Sequence, residues 1–160
     1  MTRASRTKKL NLQVFSIIGG ICIFIFGFLF PAYNWDLVGY TAAVYKQEGL
    51  SGLALSSAVY DEIKSDINSK FFKQTNEFNK ITGESSSSYS TYRNSIYKSP
   101  RALEQHIPMY SIKLLYVESI KLLHNFNLSA VKASYFISAI CAGLLFYVLC
   151  QLIFNLQIRR

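Results

Sequence analysis

Few side chains in this sequence stand where they could do chemistry, and the foremost is a carboxylate. Asp36 follows Tyr33-Asn34-Trp35 directly after a long charge-free apolar run. A carboxylate in such a place can take up a proton from a reacting group, or it can cap a helix by accepting a backbone N–H, as Asn34 could too. The two histidines, His106 and His124, have no cysteine or second histidine at ligand spacing, so a zinc site is not expected. Cys22, Cys141 and Cys150 all fall within apolar runs and read as small packing residues, with no disulfide framework. Lys113 lies in an amphipathic stretch, where a solvated or phospholipid-facing lysine is ordinary. No glycine-rich phosphate loop, nucleophile elbow or paired-cysteine motif is present. No cofactor is evident, and the need for a divalent metal is left open.

These residues must be positioned by two apolar segments and what lies between them. Residues 13–33 and 133–156 carry no charged side chain. A helix of about 20 mainly apolar residues crosses a hydrocarbon core of roughly 30 Å, and each segment meets that length. The first is longer than the usual ~7–15-residue core of a secretory signal and has no small-residue cleavage site, only Phe30-Pro31-Ala32-Tyr33. A chain of 160 residues is too small to enclose the second segment on every side. The expected fold class is therefore an all-α membrane protein: two transmembrane helices joined by a long outer segment with juxtamembrane amphipathic helices.

Charge sets the expected orientation. Arg3, Arg6, Lys8 and Lys9 precede the first run and Arg159 and Arg160 follow the second, with no acidic residue at either end. Between the runs, eleven Lys and Arg nearly cancel nine Asp and Glu, so the net charge of +8 is mostly a bias of the flanks. Basic flanks stay cytosolic. The expected order is a cytosolic basic tail (1–12), a first span (13–33), an extracytoplasmic helical loop (34–132), a second span (133–156) and a cytosolic basic end (157–160). The lipid bilayer is the expected surrounding, a bacterial inner membrane by default. Nucleic acid is not an expected partner, because no basic face on a folded domain is visible.

Within the loop, Tyr33 and Trp35 suit the headgroup level, which puts Asp36 at the outer surface. From Leu37 the spacing predicts a helix with Leu37, Tyr40, Thr41, Val44 and Tyr45 on one face and Gly49 as terminator. A second helix is predicted over 51–68, with Leu55, Val59, Ile63 and Ile67 every fourth residue. Residues 70–80, with Phe71, Phe72 and Phe78, could continue it or pack separately. The Gly83-Glu84 and serine run, and the stretch on to Lys98, read as a loop. Ser99-Pro100 marks a helix start, cut short by Pro108, which leaves His106 in a loop. Pro108 then opens a helix striped with Ile112, Leu115, Tyr116, Ser119, Leu122 and Leu123, suited to lie on the outer leaflet or against other membrane helices.

This order of parts is similar to the N-terminal portion of GT-C fold glycosyltransferases, polytopic enzymes that use polyprenyl-phosphate-linked sugars at the outer membrane face. Asn34-Trp35-Asp36-Leu37-Val38-Gly39-Tyr40 resembles the stretch with the essential Asp that opens their first outer loop. His106-Ile107-Pro108-Met109-Tyr110-Ser111-Ile112-Lys113 resembles the second juxtamembrane helix of that loop. Some relatives have Asp-Glu where Leu37 follows the Asp here. The resemblance implies that Asp36 acts as general base or orients the acceptor hydroxyl, and that His106, Tyr110 or Lys113 faces the donor phosphate. It also implies a polyprenyl-phosphate sugar as ligand and further membrane helices of a partner chain, since those enzymes have many more spans. On that reading the polypeptide is inactive alone. Two other functions fit the residues: a two-span accessory protein docking on a membrane partner, and a membrane-anchored module whose Tyr89, Tyr92 and Tyr97 hold a glycan or peptide. Gly19, Gly20, Gly27 and Gly143 could admit other helices closely.

Overall fold

A computed structural model describes residues 3–67, 72 and 88–158, with side chains over 11–67, 72 and 92–156. Seven helices account for most of the described residues, and no strand occurs among them. They are α1 (Arg3–Leu29), α2 (Asp36–Gln47), α3 (Gly52–Asp66), α4 (Ser88–Lys98), α5 (Pro100–Ser111), α6 (Leu114–His124) and α7 (Ala130–Ile158). The chain divides into two compact units, residues 1–32 with 135–160, and residues 33–134. The possible helical continuation over 70–80 and the loop over 83–87 lie outside the described residues, apart from a helical, buried Phe72.

The first unit is built by α1 and most of α7. Both contain windows long and apolar enough to cross a membrane, Asn11–Leu29 and Ala130–Leu156. Only 6% and 11% of those windows are buried, which is the reverse of what the core helix of a water-soluble domain shows. The helices meet through small residues. A Cβ on Gly143 would stand 2.7 Å from the Gly20 carbonyl oxygen, and one on Gly20 3.0 Å from that of Gly143. Phe136 closes the contact edge-on against Phe24 and Phe28, with ring centroids at 5.5 and 5.7 Å. The glycines expected to admit other helices are thus used within the chain: Gly19 faces Phe146, and Gly27 faces Ala139. Because backbone rather than a flexible side chain opposes it, Gly143→Val is expected to push α1 and α7 apart. The cost is about 1–3 kcal/mol, read as a lower denaturant midpoint for the full chain in detergent.

In the second unit α2 is the central helix. Leu37, Val38, Thr41, Ala42, Ala43 and Val44 are all buried, and α3, α5 and α6 pack around them. Its end follows the expected signal. Gly49 takes φ +94°, Leu50 N–H donates to the Tyr45 carbonyl and Gly49 N–H to that of Lys46, both at 3.1 Å, so two otherwise orphaned carbonyls are satisfied. Leu55, Val59 and Ile63 of α3 are fully buried, as their spacing predicts. The α3 N-terminus is held from another element: Glu104 accepts from Gly52 N–H at 3.0 Å and from Lys46 at 3.0 Å. These donors hold the Glu104 carboxyl below its usual range.

Two expectations are corrected here. Pro108 does not end a helix; α5 runs through it to Ser111. Ser99 caps α5 as predicted, accepting from Ala102 N–H at 3.3 Å. Leu103, His106, Ile107 and Tyr110 then form a continuous buried stripe, while Pro108 lies on the exposed side, where water can reach the carbonyl it fails to bond. Packing of that stripe outweighs the one lost hydrogen bond, and the next helix begins only at Leu114. Second, residues 88–98 are helical rather than a loop. Ile96 is buried and Tyr97 packs edge-on against Tyr60 at 4.8 Å. Trp35, expected at the headgroup level, is buried within this unit.

Candidate functional site

Asp36 is the first residue of α2, and no side chain caps that helix. The carboxylate is exposed and needs no bond to its own helix, although the N-terminal dipole favours a negative charge there. It is bound instead from α5, where the Tyr110 hydroxyl donates to Oδ1 at 2.9 Å. Tyr110 itself is buried, and it can lie against α2 because residue 39 has no side chain: a Cβ on Gly39 would fall 2.2 Å from two ring carbons of Tyr110. Burial and the Asp36 carboxylate together push the Tyr110 phenol up, so it stays protonated and able to donate.

Tyr40 comes one turn after Asp36 on α2. Its ring meets Tyr110 and Tyr116 edge-on, with centroids at 4.9 and 4.8 Å. Its hydroxyl accepts from Lys113 Nζ at 2.5 Å, and that ammonium also lies 5.2 Å from the Tyr40 ring centroid. Lys113 occupies the short link between α5 and α6, exposed, and the Tyr40 hydroxyl and negative field hold its pKa above the usual lysine value. It is therefore a persistent cation. Tyr116 joins the cluster to the start of α7, sharing a 2.8 Å hydrogen bond with the Ser134 hydroxyl.

His106 sits one turn before Tyr110 and is only 6% exposed, a buried helix residue where a loop residue was expected. Its ring packs on Trp35 at 4.7 Å and Tyr110 at 5.1 Å, and Nδ1 shares a 2.9 Å hydrogen bond with the Tyr92 hydroxyl. The Arg93 guanidinium lies 5.5 Å from the Trp35 ring centroid. Burial penalises the imidazolium and pushes the His106 pKa below its ordinary value, against a smaller raising pull from Asp36. The unfolded chain therefore takes up this proton first. Stability is full above about pH 6.5 and falls as pH drops through that value, until the folded protein also protonates His106. Denaturant midpoints at pH 7.5 and 5.5 are expected to differ more for the native chain than for His106→Gln.

All four residues singled out in the sequence, Asp36, His106, Tyr110 and Lys113, thus lie in one polar and aromatic cluster, with Tyr110 in contact with both Asp36 and His106. Of the partners that complete it, Tyr40 was not singled out as a site residue, and Tyr92 was named only for the glycan- or peptide-binding alternative. Tyr92 and Tyr97 stand on α4 and are engaged internally, while the side chain of Tyr89 lies outside the described residues. Among the described residues no group of three or more His, Cys, Asp or Glu side chains could hold a metal ion. Chemically, the cluster offers a solvent-facing carboxylate with one oxygen fixed by a phenol and, held by Tyr40 one turn along α2, a cation that cannot readily lose its proton. No protein-family model, curated protein or solved structure matches this chain.

Proposed function

We propose that residues 33–134 form part of a GT-C-like glycosyltransferase site at the outer face of a membrane, crossed by α1 and α7 with both termini cytosolic. A bacterial inner membrane is the setting in this reading. The observation that carries it is the Asp36 carboxylate at the head of α2, fixed by Tyr110 and accompanied by Lys113. In this reading Asp36 takes the proton of the acceptor hydroxyl as the anomeric carbon loses its phosphate. Tyr110 orients the carboxylate without protonating it, since its phenol is pushed up. Lys113 offers a cation to the phosphate of a polyprenyl-phosphate sugar. His106, kept neutral by burial, supports Tyr110 and Trp35 by ring packing. Further membrane helices from a partner would enclose the lipid chain, so the isolated polypeptide binds but does not transfer.

Titrating polyprenyl phosphate into the full chain in lipid nanodiscs tests this. Saturable binding is expected, with the uncharged polyprenol of equal length far weaker. Lys113→Ala should weaken binding about tenfold, the value of one charge-assisted contact. Asp36→Asn should leave binding intact or tighten it, because a negative charge beside the phosphate is removed. Equal affinity for phosphate and alcohol would exclude the reading, and sugar transfer by the chain alone would exclude the need for a partner.

A further inference from the structure

Among the described residues of the 33–134 unit, most of the exposed large hydrophobic side chains gather at the corner where α5 passes into α6. Met109, Ile112, Leu114, Leu115, Leu122 and Phe126 are all exposed, Ile112 to 81% and Leu115 to 83%. Their placement is ordered. On α6, Leu115 and Leu122 are seven residues apart, hence about 20° apart around the helix. The buried Val117 and Ile120 lie on the opposite side. On α5, Met109 faces away from the buried Leu103, Ile107 and Tyr110. Glu118, the acidic residue of α6, is turned away to Gln47, whose Nε2 donates to it at 2.9 Å. An exposed apolar face of this size, with Lys113 set within it, marks a surface that is covered in use.

The chain itself indicates what covers it. Only residues 125–129 separate α6 from α7, so Leu122 and Phe126 lie a few residues from a helix of membrane-crossing length. The unit is tethered at its other end as well, since α1 stops at Leu29 and the unit begins at Tyr33. We propose that the α5–α6 corner inserts its apolar residues into the interfacial zone of the phospholipid bilayer, with Ile112 and Leu115 deepest. Lys113, between them, stands at headgroup level, where a long cationic side chain keeps its charge wet while its stem is apolar. The inference rests on the reading that α1 and α7 cross the membrane, and it adds a third, lateral attachment that fixes the height of Asp36 and Lys113 above the bilayer.

The test uses the full chain in liposomes, with Cys22, Cys141 and Cys150 replaced by serine and a spin label introduced singly. Labels are placed through Ile112→Cys, Leu115→Cys and Phe126→Cys. Lys64→Cys on the exposed side of α3 gives the aqueous reference, and Leu149→Cys in α7 the hydrocarbon reference. At the three corner sites the ratio of collisions with oxygen to collisions with a water-soluble nickel chelate should rise well above Lys64→Cys, toward Leu149→Cys. A corner ratio equal to that at Lys64→Cys overturns the proposal. So does short-range spin–spin broadening at the corner, which would assign the face to a second copy of the chain. An aqueous reading at Leu149→Cys itself would remove the membrane reading and this inference together.

Discussion

Gly39→Ala is expected to destabilise the protein by about 2–3 kcal/mol, although alanine is the better helix former by about 1 kcal/mol. The reason is local. The added methyl would sit 2.2 Å from the Tyr110 ring, which cannot move aside because Tyr40 and His106 pack on it at 4.9 and 5.1 Å. Either the ring leaves and Asp36 loses its hydrogen bond, or α2 and α5 separate along their main contact. A double-mutant cycle tells this apart from a general effect on α2. In a Tyr110→Ala background the clash is gone, so Gly39→Ala should become neutral or stabilising, by up to about 1 kcal/mol. Denaturant titration of the four full-length proteins in detergent reads both numbers. An equal cost in both backgrounds would show that Gly39 does not serve Tyr110.

Gly39 also illustrates what a single sequence reveals. The α2 pattern, the Gly49 stop, the Ser99-Pro100 start and the two apolar runs were legible because each is decided by nearest neighbours or by a period of three to four residues. The close approach of Tyr110 to Gly39 is a contact between residues 71 positions apart, and nothing local announces it. Pro108 did further harm to the reading. If α5 is broken there, His106 and Tyr110 fall in different elements; once it is continuous, they are one turn apart on a single buried face. In the same way Asp36 and Tyr40 are one turn apart on α2, a spacing visible in the sequence that would have drawn Tyr40 into the candidate set.

The misread α4 has a different cause. Residues 88–98 are rich in serine and tyrosine, with weak intrinsic preference for helix, and Ile96 is the one large aliphatic side chain among them. Ile96 in the core and Tyr97 against Tyr60 supply from outside what the segment lacks. Trp35 shows the same support from outside on a smaller scale. An aromatic after an apolar run suits a membrane interface, and the sequence alone does not show that His106, Tyr92 and Arg93 surround it. The site is therefore less a surface loop beside a membrane than a packed corner, in which rings from α2, α4 and α5 set the position of one carboxylate.

Glu62→Ala is expected to cost about 3 kcal/mol, a large loss for a residue on the outer side of an amphipathic helix pattern. Glu62 leaves α3 to meet the first turn of α7, where Oε1 accepts from Val131 N–H at 2.9 Å. Its other oxygen accepts from the Tyr45 hydroxyl of α2. One carboxylate thus ties three helices, and its charge lies at a helix N-terminus, where it is favourable. Truncation would leave the amide of fully buried Val131 without this acceptor and would strip a partner from Tyr45, whose phenol is pushed up by burial and by Glu62. Glu62→Gln keeps one acceptor and should lose less than half as much. Asp66 supports the same turn through Ser129 and through Lys132 at 3.0 Å, so the Glu62→Ala and Asp66→Ala losses should not add. Hydrogen exchange gives the most direct reading, because the Val131 amide should lose protection in Glu62→Ala while the Leu103 amide in α5 follows only the global loss. Unchanged protection at Val131 would mean that α7 starts without help from α3, and that Glu62 serves Tyr45 alone.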